Sequence, residues 1–178
     1  QPLQSDEVRI KIYAAGLNFP DLLMTQGKYQ FRPEPPFVPG LEAAGEVIEV
    51  GSDVRSVKTG DRVMVAGKGG ALAEQWVARE TAVSPLPPAL SFSEGACWQT
   101  AASTAWHSLV ERGHLQSGES VLVLGASGGV GMAAVKMAKH LGATVIGTGS
   151  SAEKRHAINQ AGADHVLDSA DEELASQV

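Results

Sequence analysis

Apolar residues in the first half of the chain come in short runs parted by glycines and prolines. Val8-Arg-Ile10-Lys-Ile12 alternates strictly, which puts its apolar side chains on one face of an extended strand. Gly45–Val50, Asp61–Val65 and Leu72–Val77 repeat the theme, with turn signals at Gly51-Ser-Asp53 and Gly60-Asp61 between them. The pattern predicts a strand-rich, β-barrel-like domain from Val8 to about Pro88. Pro85, Pro87 and Pro88 then mark a boundary. Ser91-Phe-Ser-Glu94 has capping-box spacing, and predicts a helix running to about Arg112 with Gly113 as its C′ residue.

Beyond that point strand and helix patterns alternate. Val121–Leu124 is a continuous apolar run, as expected of a parallel strand covered on both faces. Val130, Ala133, Ala134, Met137, Ala138 and Leu141 share one helical face, ended by Gly142. Thr144–Gly147 reads as a second strand, Ala152–Gln160 as a second helix ended by Gly162, and Asp164–Leu167 as a third strand. Consecutive β-α-β-α-β units imply right-handed crossovers and a doubly wound sheet. The fold class is therefore α/β, with a barrel-like domain over residues 1–90 and a partial doubly wound, Rossmann-type domain over 91–178. Asp171, Glu172 and Glu173 read as the acidic first turn of a further helix.

Composition narrows the function. The 178 residues carry a net charge of −6 with no Lys/Arg block, so nucleic acid and anionic membrane surfaces are not expected partners. One cysteine, Cys97, excludes an intramolecular disulfide and a multi-cysteine zinc site. No apolar stretch approaches the roughly 20 residues of a membrane span, and Gln1–Ile12 lacks a signal-peptide core; the expected location is the cytoplasm. A doubly wound domain needs about six strands in two halves, and three are found here. With Gln1 in place of an initiator Met, the chain is expected to be truncated at both ends, and inactive apart from its parent.

The chemistry sits at the first strand-helix turn. Gly125-Ala-Ser127-Gly128-Gly129-Val130-Gly131 directly follows a strand and opens a helix, the context of a dinucleotide fingerprint. Gly128 lets backbone approach a pyrophosphate, Gly131 lets helix pack on strand, and the helix N-terminus offers free N–H groups. The first fingerprint glycine is replaced by Ala126. NAD-binding folds place an acid about 20 residues on, at the end of the second strand, to hold the ribose 2′-OH. Here that stretch is Gly147-Thr148-Gly149-Ser150, without a carboxylate. Ser150, Lys154 and Arg155 can meet a 2′-phosphate instead, which points to NADPH; the two cations can also form a solvated helix face.

Gly16-Leu-Asn18-Phe-Pro-Asp21, Pro39-Gly40-Leu-Glu42-Ala-Ala-Gly45-Glu-Val47, Gly60-Asp-Arg-Val63, Thr104-Ala105 and Gly125–Gly131, in that order, resemble the medium-chain dehydrogenase/reductase superfamily. Within it the chain is most similar to the zinc-independent NADPH:quinone oxidoreductases, the zeta-crystallin-like branch. The resemblance covers essentially the whole chain and implies a GroES-like N-terminal domain. It also implies hydride transfer from NADPH to a quinone or other conjugated carbonyl, and a homodimeric parent. Asn18 and Asp21 would lie by the nicotinamide and the acceptor, Thr104 against the nicotinamide, and Tyr29 at the pocket mouth. Asn18 can hydrogen-bond an acceptor oxygen that gains charge, or only its own turn. Asp21 can equally cap the Leu22–Met24 turn, and Tyr29 can be ordinary loop packing.

Zinc-dependent relatives carry a Cys where this chain has Asn18, a His at Leu41 and a further ligand near Thr100, so no catalytic metal is expected. A Tyr that stacks by the 2′-phosphate in related quinone reductases is Ser169 here. The histidines form no constellation, and Cys97, Trp98 and Trp106 are expected to pack between the domains. Two alternatives stay open: an enoyl-thioester reductase of the same superfamily, and a non-catalytic NADPH-binding, crystallin-like protein.

Overall fold

The computed structural model describes residues 2–176. The chain divides into two compact units, Gln1–Thr100 and Ala101–Val178.

Five antiparallel strands make the first unit: β1 (Glu7–Gly16), β2 (Glu42–Val50), β3 (Arg62–Ala66), β4 (Gln75–Arg79) and β5 (Val83–Pro85). Their order in the sheet is β4-β1-β2-β3-β5. The alternation of β1 delivers Val8 and Ile10 to a core shared with Val47, Val63, Val65 and Trp76. Two register shifts interrupt the β1/β2 ladder. At the second, Ile12 faces Gly45 and Ala14 faces Ala44, leaving Tyr13 as the extra residue of a bulge. Tyr13 thereby turns outward and stacks on Phe92, ring centroids 4.7 Å apart. The shift also brings the end of β1 opposite the start of β2, with Gly16 paired to Glu42. A short helix, α1 (Phe19–Thr25), follows at once.

The helix expected from Ser91 to Arg112 is not continuous. Its capping box forms, with Ser91 Oγ accepting the Glu94 N–H at 3.2 Å and Glu94 Oε2 accepting the Ser91 N–H at 2.8 Å. The Ser91 hydroxyl also donates to Glu94 Oε2 at 2.6 Å, and this bond first, then the one from the Ser91 N–H, holds the Glu94 carboxyl below its ordinary range. However, α2 (Phe92–Ala96) stops after five residues and α3 (Gln99–Trp106) starts anew. The N–H of Thr100 bonds the Glu42 carboxylate from β2 at 2.9 Å, so an acid distant in sequence caps α3 and separates it from α2. The last six residues, His107–Arg112, are π-helical, with the Gly113 N–H reaching back five residues to the Ser108 carbonyl. Gly113 itself stays right-handed, and the left-handed residue is His114, φ 50°. Cys97, Trp98 and Trp106, expected to be packed, are exposed, the tryptophans at 54% and 46%. The break spends the buried positions on Gly95 and Ala96 instead.

The second unit is a parallel sheet, β6 (Ser120–Val123), β7 (Thr144–Gly149) and β8 (His165–Asp168), in the order β6-β7-β8. Two crossover helices join them, α4 (Gly129–His140) and α5 (Ala152–Gln160). The helices end where the sequence places their stops, Gly142 and Gly162 both being left-handed. Val123, Val135, Val145 and Ile158 fill the core between sheet and helices. After β8 the acidic stretch Asp171–Glu173, expected to open a further helix, leads into a 3-10 turn, Leu174–Ser176, and the rest of that expectation lies outside the described residues. Among the described residues no helix is long and apolar enough to cross a membrane.

Candidate functional site

In the first unit the site grows from the β1-α1 junction. Asn18 keeps an extended backbone and its N–H bonds Asp21 Oδ2 at 2.8 Å, closing the first turn of α1. The second Asp21 oxygen accepts the Gly40 N–H at 3.2 Å, which ties that turn to the loop entering β2. Asp21 is buried, and both its oxygens serve backbone donors. Asn18 instead turns its side chain onto Glu42, its Nδ2 donating to Oε1 at 2.8 Å. Glu42 is 2% exposed, and its other oxygen takes the Thr100 N–H. A side chain at Gly16 would meet the Ala96 carbonyl and the Glu42 side chain, so glycine there makes room for the buried carboxylate. Tyr29 is half-buried on the loop after α1, its carbonyl accepting from Arg32 Nε at 3.3 Å, and it stands outside the Asn18–Asp21–Glu42 set.

In the second unit the remaining candidates other than Thr104 lie at the carboxyl ends of β6 and β7 and the helix starts that follow them, where doubly wound folds bind ligands. The departure at Ala126 has a structural reason. Gly125 supplies the left-handed turn, φ 62°, while Ala126 is fully buried and packs beneath the turn. The turn is pinned to β7 by Thr148: its Oγ1 accepts the Gly125 N–H at 3.1 Å and its carbonyl the Ala126 N–H at 3.0 Å. Thr148 is 1% exposed, so it acts through the turn. Met132 makes the first intrahelical bond, to the Gly128 carbonyl, leaving the N–H groups of Gly129, Val130 and Gly131 ahead of the helical ladder. A Cβ at Gly129 would meet nothing within 4 Å, and one at Gly128 only the Gly125 oxygen at 3.6 Å. Open space above free N–H groups is what an incoming pyrophosphate requires, and the residues fit one.

The end of β7 is acid-free for a packing reason as well. Gly149 is buried, and a Cβ there would stand 2.9 Å from Ile158 Cδ1 and 3.3 Å from the Arg155 nitrogen, so a larger residue would need the first turn of α5 and Ile158 to give way. Beside it, Lys154 Nζ donates to Ser150 Oγ at 3.2 Å, while Arg155 Nη1 donates to the Gly149 carbonyl and to Asp168. Ser127 lies in the turn, and Thr104 is exposed on α3, its carbonyl accepting the Ser108 hydroxyl at 2.8 Å. Two residues here have no role in the sequence reading: Glu42, visible only as an acid opening a run of small strand residues, and Asp168, whose significance depends on its neighbour strand. Among the described residues no group of three or more His, Cys, Asp or Glu is placed to hold a metal ion.

Comparison with known proteins accords with these two units. Residues 4–88 match the alcohol dehydrogenase GroES-like domain, and residues 129–178 match the family described as zinc-binding dehydrogenase. A quinone oxidoreductase-like protein 2 homolog of Nematostella vectensis is 42% identical over 99% of this chain and 48% of its own length. Among solved structures, the Escherichia coli quinone oxidoreductase complexed with NADPH superposes with a TM-score of 0.91 at 34% identity, covering 99% of this chain and 54% of that one. The CurK enoyl reductase superposes at 0.92 with 29% identity, covering 100% and 56%. The chain thus spans about half the length of the relatives it matches. With a GroES-like unit followed by a Rossmann-type one, it belongs to the medium-chain dehydrogenase/reductase superfamily, among relatives that are quinone oxidoreductase-like.

Proposed function

We propose that the protein carrying this chain is a zinc-independent, NADPH-dependent reductase of quinones or other conjugated carbonyl compounds. The observation that carries the reading is the cofactor corner: free N–H groups at Gly129–Gly131, no acid at Gly149, and Ser150 with Lys154 beside it. Bound there, NADPH supplies a hydride. Ser127–Gly131 hold the pyrophosphate, while Ser150, Lys154 and Arg155 lie on the 2′-phosphate side. Asn18 keeps one amide N–H on Glu42 and has a second to offer an acceptor oxygen as it gains charge. Asp21 holds the Asn18 and Gly40 backbone in place, and Tyr29 and Thr104 retain the roles the resemblance implies. The positions at which zinc-dependent relatives carry ligands hold Asn18, Leu41 and Thr100, which do not form a site of N and S donors. The same reading makes the protein a cytoplasmic homodimer.

Similarity to an enoyl reductase favours one second reading, reduction of an enoyl thioester. Single-turnover oxidation of NADPH by the full-length protein separates the two, with quinone, enone and enoyl-thioester acceptors supplied in parallel. Quinone or enone turnover that survives chelators supports the proposal. Turnover confined to the thioester moves the assignment, and NADPH binding without turnover on any acceptor makes the protein a binder.

A further inference from the structure

The acid missing from Gly149 has a counterpart one strand away. Asp168 closes β8, and its Cα is paired with that of Gly149 across the parallel ladder. Its Oδ2 accepts from Arg155 Nη1 at 2.7 Å, the same nitrogen donates to the Gly149 carbonyl at 3.1 Å, and Oδ1 accepts the Ala170 N–H at 2.9 Å. Arg155 is therefore anchored twice, by a carboxylate and by strand backbone. Lys154, its neighbour in the first turn of α5, rests on a neutral hydroxyl, Ser150 Oγ. Two adjacent cations at the same corner thus differ: one is neutralised in place and the other is not.

We propose that Asp168 limits the selectivity for NADPH over NADH. It holds Arg155 in a neutral pair beside Gly149 and leaves Lys154 and Ser150 to meet the 2′-phosphate. A phosphate monoester carries between one and two negative charges at neutral pH, so it senses the net charge of the corner. A tight ion pair contributes little to that net charge. Withdrawing Arg155 toward a phosphate would strand the Asp168 carboxylate beside a second anion, and the Gly149 bond adds to the cost. The inference deepens the NADPH reading and rests on it only for the identity of the preferred cofactor.

The test is fluorescence titration of the full-length protein with NADPH and NADH at low ionic strength, where surface charges are least screened. NADH lacks the 2′-phosphate, so its affinity checks the fold and the ratio reads the charge balance. Asp168→Asn is expected to raise the NADPH:NADH affinity ratio about fivefold, and Arg155→Gln to lower it about fivefold, the scale of one partly exposed charge. The double variant should return to within about twofold of the wild type, since one neutral arrangement replaces another. An unchanged ratio in either single variant overturns the proposal. So does a double variant well below the wild type, which would make Arg155 itself a phosphate ligand. A wild type that prefers NADH, combined with a rise at Asp168→Asn, overturns the cofactor reading and supports this one.

Discussion

The side-chain amide of Asn18 and the carboxylate of Glu42 meet at 2.8 Å from positions 24 residues apart. Both Glu42 oxygens act as acceptors, one of them toward the amide nitrogen of Asn18, and that contact settles where the other N–H and Oδ1 of Asn18 lie. Because the second Glu42 oxygen takes the Thr100 N–H, glutamine cannot replace it without setting an NH₂ against one of two donors. Glu42→Gln is expected to lower kcat about tenfold, a loss near 1.4 kcal/mol of transition-state stabilisation, with the NADPH Kd within about twofold of the wild type. Asn18→Ala should do the same, and the double variant should lose little more, since both act through one amide. Additive losses in steady-state kinetics would separate the two residues. Glu42→Ala, which also strands a buried N–H, should lower unfolding free energy in urea by about 2–4 kcal/mol.

On the proposed reading Lys154, which donates to Ser150 Oγ, would carry the discrimination between cofactors. Lys154→Ala is expected to weaken NADPH about tenfold while changing NADH less than about twofold, because only the former brings a phosphate to this corner. Equal losses for both, read by fluorescence titration, would place Lys154 on the common part of the cofactor. Raising ionic strength should shrink the NADPH advantage of the wild type in the same experiment.

The features legible in the sequence are those set by local rules. The alternation at Val8–Ile12, the bounds Ala152–Gln160 of α5, and the left-handed stops at Gly142 and Gly162 each follow from a few adjacent residues. The Gly125–Gly131 turn was readable for the same reason. What escaped depends on distant partners. The break between α2 and α3 is imposed by Glu42, 58 residues before Thr100, and no pattern around Cys97 announces it. The neutralisation of Arg155 needs the β7/β8 register to bring Asp168 alongside, and the π-helical turn moves the left-handed residue from Gly113 to His114. Apolar side chains at Trp98 and Trp106 suggested burial, which the interrupted helix does not provide.

Acid should loosen one tie of the second unit. Asp164 is held below the ordinary carboxylate range first by the Lys139 ammonium, which donates to both its oxygens at 2.7 and 2.9 Å, and then by the Val145 N–H. A carboxyl with a lowered folded-state value contributes stability in full above its unfolded value of about 3.9, and loses it as pH falls through the lower, folded one. Asp164→Asn should therefore unfold at lower urea concentration than the wild type at pH 7, and the gap should narrow below about pH 4. A gap of equal size at pH 7 and pH 3 would show that the tie does not depend on charge.

Two glycines of the same turn should respond differently to one added methyl group. At Gly131 a Cβ would stand 2.6 Å from the Gly125 oxygen and 2.7 Å from Ala126 Cα, both backbone atoms of the turn itself, so α4 must move away from β6. Gly131→Ala is expected to cost about 1–3 kcal/mol of stability, as overpacked sites do. At Gly128 the nearest atom would be 3.6 Å away, an ordinary contact, and φ is −76°, which any residue adopts. Gly128→Ala should therefore melt within about 0.5 kcal/mol of the wild type in the absence of cofactor. On the proposed reading, however, the backbone at Gly128 is where the pyrophosphate comes close, and an added methyl group would stand in its way. Binding of NADPH and of NADH should both weaken about tenfold, because the pyrophosphate is common to the two. This equal loss distinguishes the cradle from the Lys154 corner, where only NADPH suffers. Were Gly128→Ala to bind both cofactors as the wild type does, with an unchanged melting temperature, the N-terminus of α4 would not be the pyrophosphate site, and the hydride-transfer reading would lose its anchor.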